Sequence, residues 1–105
     1  MIARTARVAT LADLTQKGRL SVSVDERAVL LVHIAGEVFA FEDVCTHDGQ
    51  PLTDGELEGH QIECPRHGAR FDVRTGRALC MPAVEPVRVY PVRIIDGAIE
   101  IELPD

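Results

Sequence analysis

The sequence has no tryptophan, and Phe39, Phe41, Phe71 and Tyr90 are its only aromatic residues. The core of this 105-residue chain must therefore be mainly valine, leucine and isoleucine, within an apolar content of 46% that is ordinary for a globular domain. Long apolar runs are also missing. No segment approaches the roughly 18 apolar residues that a membrane-spanning helix needs. Met1 to Leu14 carries Arg4 and Arg7 and no continuous apolar stretch, which argues against a signal peptide and for the cytoplasm. Three cysteines, Cys45, Cys64 and Cys80, do not make a disulfide framework. Basic residues are outnumbered, 11 against 17 acidic, and the formal net charge is −6. That balance argues against a nucleic-acid backbone or an anionic membrane as partner. The length predicts one domain, residues 1–105.

What the sequence does contain is concentrated between Cys45 and Phe71. Cys45-Thr46-His47 is a Cys-x-His pair, and Cys64-Pro65-Arg66-His67 is a Cys-x-x-His pair, with 16 residues between His47 and Cys64. Each pair offers one thiolate and one imidazole within a single turn. Two cysteines and two histidines suit tetrahedral zinc. A zinc finger, however, places both cysteines before both histidines. The interleaved order fits a [2Fe–2S] cluster of mixed ligation better, with two thiolates on one iron and two imidazoles on the other. Gly49 and Gly68 would let backbone N–H groups approach the cluster sulfurs.

With its framing residues, this stretch resembles the Rieske-type ferredoxins and Rieske domains. The matching residues are Cys45-Thr46-His47, Pro51-Leu52, Gly55, Ile62, Cys64-Pro65, His67-Gly68, Phe71-Asp72, Thr75-Gly76 and Pro82-Ala83. The resemblance covers the whole chain. It implies an all-β fold, a Rieske-type antiparallel β-sandwich with a small inserted cluster-binding lobe at residues 43–72. It also implies one [2Fe–2S] cluster on Cys45, His47, Cys64 and His67, and no catalytic residues. Two thiolates cancel the charge of an oxidised core, so reduction leaves one negative charge; four thiolates would take the site from doubly to triply negative. The mixed site therefore accepts its electron more readily, and with every ligand position filled it moves electrons rather than binding substrate.

Four positions separate branches of the family. High-potential Rieske proteins of cytochrome bc complexes join the two loops by a disulfide and bond the cluster with a serine and a tyrosine hydroxyl. The matching positions here are Gln50 and Arg66, and Ala69 and Phe71. The sequence instead resembles the low-potential ferredoxins of bacterial aromatic-ring dioxygenase systems. That implies a monomeric electron carrier, not an enzyme. Its partners would be a flavin-containing, NADH-dependent ferredoxin reductase and a terminal oxygenase, each docked transiently. A small Rieske-like subunit of an assimilatory nitrite reductase and a structural zinc or protein-interaction module are the competing readings.

The remaining chain reads as strands. Val8 to Leu14 is expected as a first strand turning at Asp13. Leu20 to Val24 alternates with period two, and Ala28 to Ile34 with Glu37 to Phe41 makes a hairpin that delivers the chain to Cys45. Glu56 to His60 is a connection or edge strand. Gln61 to Cys64, Ala69 to Val73 and Arg77 to Met81 are short strands around the second pair. Asp96-Gly97 turns a C-terminal hairpin of Val87 to Ile95 and Ala98 to Leu103, interrupted at Pro91. No segment supports a long amphipathic helix.

Several residues carry two readings. His33 is expected to be a half-buried strand residue and His60 to face solvent. Cys80 reads as a small buried hydrophobe, with a place beside the ligand loops as the alternative. Glu42, Asp43, Asp48, Asp54, Glu56, Glu58 and Glu63 form an acidic window free of lysine and arginine. It is either solubilising surface or a docking rim for a basic partner.

Overall fold

The computed structural model describes residues 4–46, 49–65, 68–81 and 83–103. Among the described residues, eleven strands form three antiparallel sheets, accompanied by one short helix. Strand β1 (Arg4–Thr10) leads into α1 (Leu11–Lys17), followed by β2 (Arg19–Val24), β3 (Arg27–Ile34) and β4 (Glu37–Glu42). A second group contains β5 (Leu57–Glu58), β6 (Gln61–Glu63), β7 (Arg70–Asp72) and β8 (Ala78–Cys80). The chain closes with β9 (Val89–Tyr90), β10 (Val92–Ile95) and β11 (Ala98–Leu103). The sheet orders are β1-β11-β10, β2-β3-β4-β9 and β5-β6-β7-β8.

The sheet β2-β3-β4-β9 lies between two cores, and its side chains alternate between them as a pleated strand requires. Val29 and Leu31 of β3 join Leu14, Ala40, Tyr90, Ile99, Ile101 and Leu103 on one face. Leu30 and Val32 join Phe41, Cys45, Leu52, Ile62, Cys64 and Phe71 on the other. Burial on both faces is why Val29-Leu30-Leu31-Val32 reads as an unbroken apolar run. The first core joins this sheet to the one made by β1, β10 and β11. The second core joins it to the ligand loops and to the sheet β5-β6-β7-β8.

The expected first strand at Val8 to Leu14 is corrected, because the strand ends at Thr10 and a helix follows. Thr10 is its N-cap, accepting from the Asp13 N–H at 3.2 Å, and Gly18 ends it at φ +83°. One turn of apolar side chains, Leu11 and Leu14, is too short to show helical period against strand alternation. The expected C-terminal hairpin is present but divided: β9 pairs with β4, while β10 pairs with β11. Pro91 marks the point where the chain changes sheets, lacking the N–H that a continuous strand would donate.

Candidate metal centre

Cys45 and Cys64 each open a turn closed by the same pair of backbone hydrogen bonds. The Cys45 N–H donates to the Gln50 carbonyl at 2.7 Å, and the Gly49 N–H donates back to the Cys45 carbonyl at 2.8 Å. In the second loop the Cys64 N–H donates to the Ala69 carbonyl at 2.6 Å, and the Gly68 N–H to the Cys64 carbonyl at 3.1 Å. Gly49 and Gly68 sit at φ +77° and +75°, where a side chain would be strained. Strand β4 leads to the first turn, and β6 and β7 flank the second. Cys45 and Cys64 are both buried, in one cluster with Leu52, Ile62, Ala69 and Phe71. Two turns distant in sequence thus bring their thiol-bearing residues into the same apolar layer. His47 and His67 lie outside the described residues.

The first turn has a second rung beneath it. Asp43, the only buried charged residue among those described, accepts from the Leu52 N–H at 2.7 Å and from the Ser21 hydroxyl at 2.9 Å. The Thr53 hydroxyl also bonds to it. Arg19 of β2 donates to the Thr53 and Gly55 carbonyls at 2.7 and 2.6 Å. The turn from Leu52 to Gly55 is therefore held from two directions. The segment after β8 braces the loops on another side. The Thr46 hydroxyl donates to the Glu85 carbonyl at 2.7 Å, and the Cys80 thiol lies 3.5 Å from the Gly68 carbonyl.

These contacts revise several expectations. Cys80 is exposed, not a buried hydrophobe, because β8 is an edge strand; it lies against the second loop. His60 is only partly exposed and packs edge-on to Phe39, with ring centroids 5.6 Å apart. His33 is half-buried on β3, as expected. The acidic window also contains different kinds of residue. Asp43 is interior, and Arg70 bonds Glu63 at 3.0 Å and lies 3.8 Å from Glu58. Asp54 and Glu56 remain exposed and form no salt bridge among the described residues. On the turn from β7 to β8, Arg74 donates to both Asp72 oxygens at 3.1 and 3.0 Å. The hydrogen bond from that guanidinium holds the Asp72 carboxyl below its ordinary value.

Residues 4–91 match the family model described as the Rieske [2Fe-2S] domain. The chain belongs to that family. It is 38% identical over 103 residues to the ferredoxin component of the naphthalene 1,2-dioxygenase system of Pseudomonas putida, covering 98% of this chain and 99% of that one. In structure it is similar to the Sphingomonas yanoikuyae B1 ferredoxin, with a TM-score of 0.88, 36% identity, and 96% and 100% of the two chains covered. It is also similar to a chain in the complex of reduced oxygenase and oxidised ferredoxin of carbazole 1,9a-dioxygenase. That match has a TM-score of 0.85 and 29% identity, and covers 93% of this chain and 92% of that one.

The two described thiols, Cys45 and Cys64, and their surroundings fit the family's cluster. Two thiols stand on matched glycine turns with an apolar layer behind them, and Leu52, Ala69 and Phe71 exclude water from beneath. Among the described residues no helix is long and apolar enough to cross a membrane.

Proposed function

We propose that this chain is a one-electron carrier of a multicomponent aromatic-ring dioxygenase system, taking electrons from an NADH-dependent flavoprotein reductase and giving them to a terminal oxygenase. Cys45, His47, Cys64 and His67 would hold its [2Fe–2S] cluster, which when bound accepts and releases one electron. The observation that carries the reading is the pair of matched turns, Cys45 to Gln50 and Cys64 to Ala69, whose cysteines share one buried layer. The near end-to-end match with ferredoxin components supports it.

The chain's own residues do three things for the transfer. Leu52, Ile62, Ala69 and Phe71 keep the thiolate side dry, so that charge changes there are weakly screened. The turns and their braces hold the cysteines still between oxidation states, which is the preorganisation a site needs. The exposed Asp54 and Glu56 beside the loops suit a basic rim on a partner and transient docking. Monomeric, cytoplasmic protein fits this role.

The test begins with the purified protein, which should be reddish brown with two irons and two acid-labile sulfides per chain. A colourless protein carrying zinc after anaerobic preparation would overturn the cluster. NADH with a flavoprotein reductase should then reduce it, and a terminal oxygenase should reoxidise it. A cluster that neither component of any such dioxygenase system turns over would overturn the role.

A further inference from the structure

The buried carboxylate at the end of β4 has a position that the cluster ligands alone do not explain. Asp43 precedes Cys45 by two residues, so their Cα atoms are within about 7.6 Å. Its Oδ1 takes the Leu52 N–H at 2.7 Å; its Oδ2 takes the Ser21 hydroxyl at 2.9 Å and is bonded also by the Thr53 hydroxyl. Its own N–H donates to the Ala28 carbonyl at 2.9 Å, which ties it to β3. One side chain thus joins β2, the foot of the first cysteine turn and the turn from Leu52 to Gly55. Burial of a charge is costly unless it is well bonded, and here no arginine or lysine among the described residues pairs with it. Arg19 is close to the same turn but donates to the Thr53 and Gly55 carbonyls.

We propose that Asp43 is a positioning residue for the Cys45 turn and that its buried negative charge holds the cluster's reduction potential down. This rests on the cluster assignment made above. Reduction adds negative charge to the site, and a fixed negative charge beside it opposes that step. Asp43 lies under the turn, away from bulk water, so its field is less screened than that of an exposed carboxylate such as Glu56.

The experiment uses the purified cluster-bearing protein and three variants. Asp43→Asn keeps the shape and a carbonyl acceptor for the Leu52 N–H but removes the charge. Its voltammetric midpoint should move to a higher potential, by more than that of Glu56→Gln. Ser21→Ala keeps the charge and removes one bond. It should lose iron to a chelator faster than wild type, by about tenfold if one charge-assisted bond is lost, with little change in midpoint. Iron and sulfide content of the wild type separates failure of the cluster reading from failure of this one. An Asp43→Asn protein that holds its cluster at an unmoved midpoint overturns the charge assignment. Ser21→Ala losing iron at the wild-type rate overturns the positioning assignment. An Asp43→Asn protein that folds but cannot keep its cluster supports positioning, since shape alone is then not enough. If that protein does not fold, the iron-loss rate of Ser21→Ala decides.

Discussion

Gly55 is where the two ligand loops meet through backbone. It ends the turn begun at Leu52, its N–H donating to the Leu52 carbonyl at 2.9 Å, and it abuts the strand that carries Cys64. A Cβ at this position would overlap the Glu63 carbonyl oxygen far inside van der Waals contact. It would also lie 3.0 Å from the Leu52 carbonyl and 3.1 Å from Ile62 Cγ1. Gly55 does not sit at positive φ, so the cost of Gly55→Ala is steric, without left-handed strain. The nearest atom belongs to β6, one residue before Cys64, and cannot rotate away. Overpacking of this kind costs about 1–3 kcal/mol. For a domain of this size, 2 kcal/mol corresponds to a melting point lower by about 8–16 °C. Because relief requires β6 to move away from the 52–55 turn, the Cys45 and Cys64 turns should separate and iron should be lost first. Gly59→Ala is the control: it sits at φ +60° with nothing within 4 Å, so it pays only the left-handed strain of about 1–2 kcal/mol and should keep its iron. The assay is iron per chain together with thermal melting of the cluster absorbance. A Gly55→Ala protein with two irons and a melting point within about 2 °C of wild type would refute the steric reasoning.

With Ala69 and Phe71 supplying no hydroxyl beside the site, the midpoint should lie low in the Rieske range, whose lower end is about −150 mV; Ala69→Ser and Phe71→Tyr should each raise it in voltammetry. Cys80→Ser should leave the iron content unchanged, because the Cys80 thiol is exposed on an edge strand and meets the Gly68 carbonyl at a long 3.5 Å. The Asp72 carboxyl is depressed below its ordinary value of 3.8, first by the Arg74 hydrogen bond. Its stabilisation is full above that value and lost as pH falls through the depressed one, so wild type should melt above Arg74→Gln at neutral pH and lose that advantage in acid. Reversing Asp48, Asp54 and Glu56 to lysine should slow stopped-flow electron delivery at low salt and matter less at high salt; equal rates at low ionic strength would make these residues mere surface.

Much of the site was legible because the chemistry demands particular residues at short range. The interleaved cysteines and histidines, with Gly49 and Gly68, mark two turns from the sequence alone. The hairpin at Asp96-Gly97 was equally local, with Asp96 at φ +50° and Gly97 at φ +79°, as a type I′ turn needs. What could not be read were contacts between distant segments. Asp43 stood in a run of acids and looked like surface, while its partners Ser21, Leu52 and Thr53 come from two other parts of the chain. Arg70 follows the acidic window in sequence but folds back onto Glu58 and Glu63 across β6 and β7. Helix α1 had its signals, with Thr10 and Asp13 at the start and Gly18 at the end. Two leucines in seven residues, Leu11 and Leu14, fit a strand as well as a helix.

The repeat that matters in this chain is not the one that first meets the eye. Cys-x-His and Cys-x-x-His differ in spacing, which suggests two unlike loops. The backbone shows one turn used twice: cysteine, then glycine four residues on at φ near +76°, then a carbonyl five residues on that receives the cysteine N–H. The cysteines therefore occupy equivalent places in equivalent frames. A shared frame makes sense on the thiolate side, where both turns rest on the same apolar layer of Leu52, Ile62, Ala69 and Phe71. The bracing differs between the two turns. The first turn rests on Asp43, and the segment that reaches Glu85 bonds Thr46. The second lies between β6 and β7, with Cys80 of β8 against it. A carrier that holds its thiolate side through rigid, dry backbone contacts can change charge by one electron with little structural response.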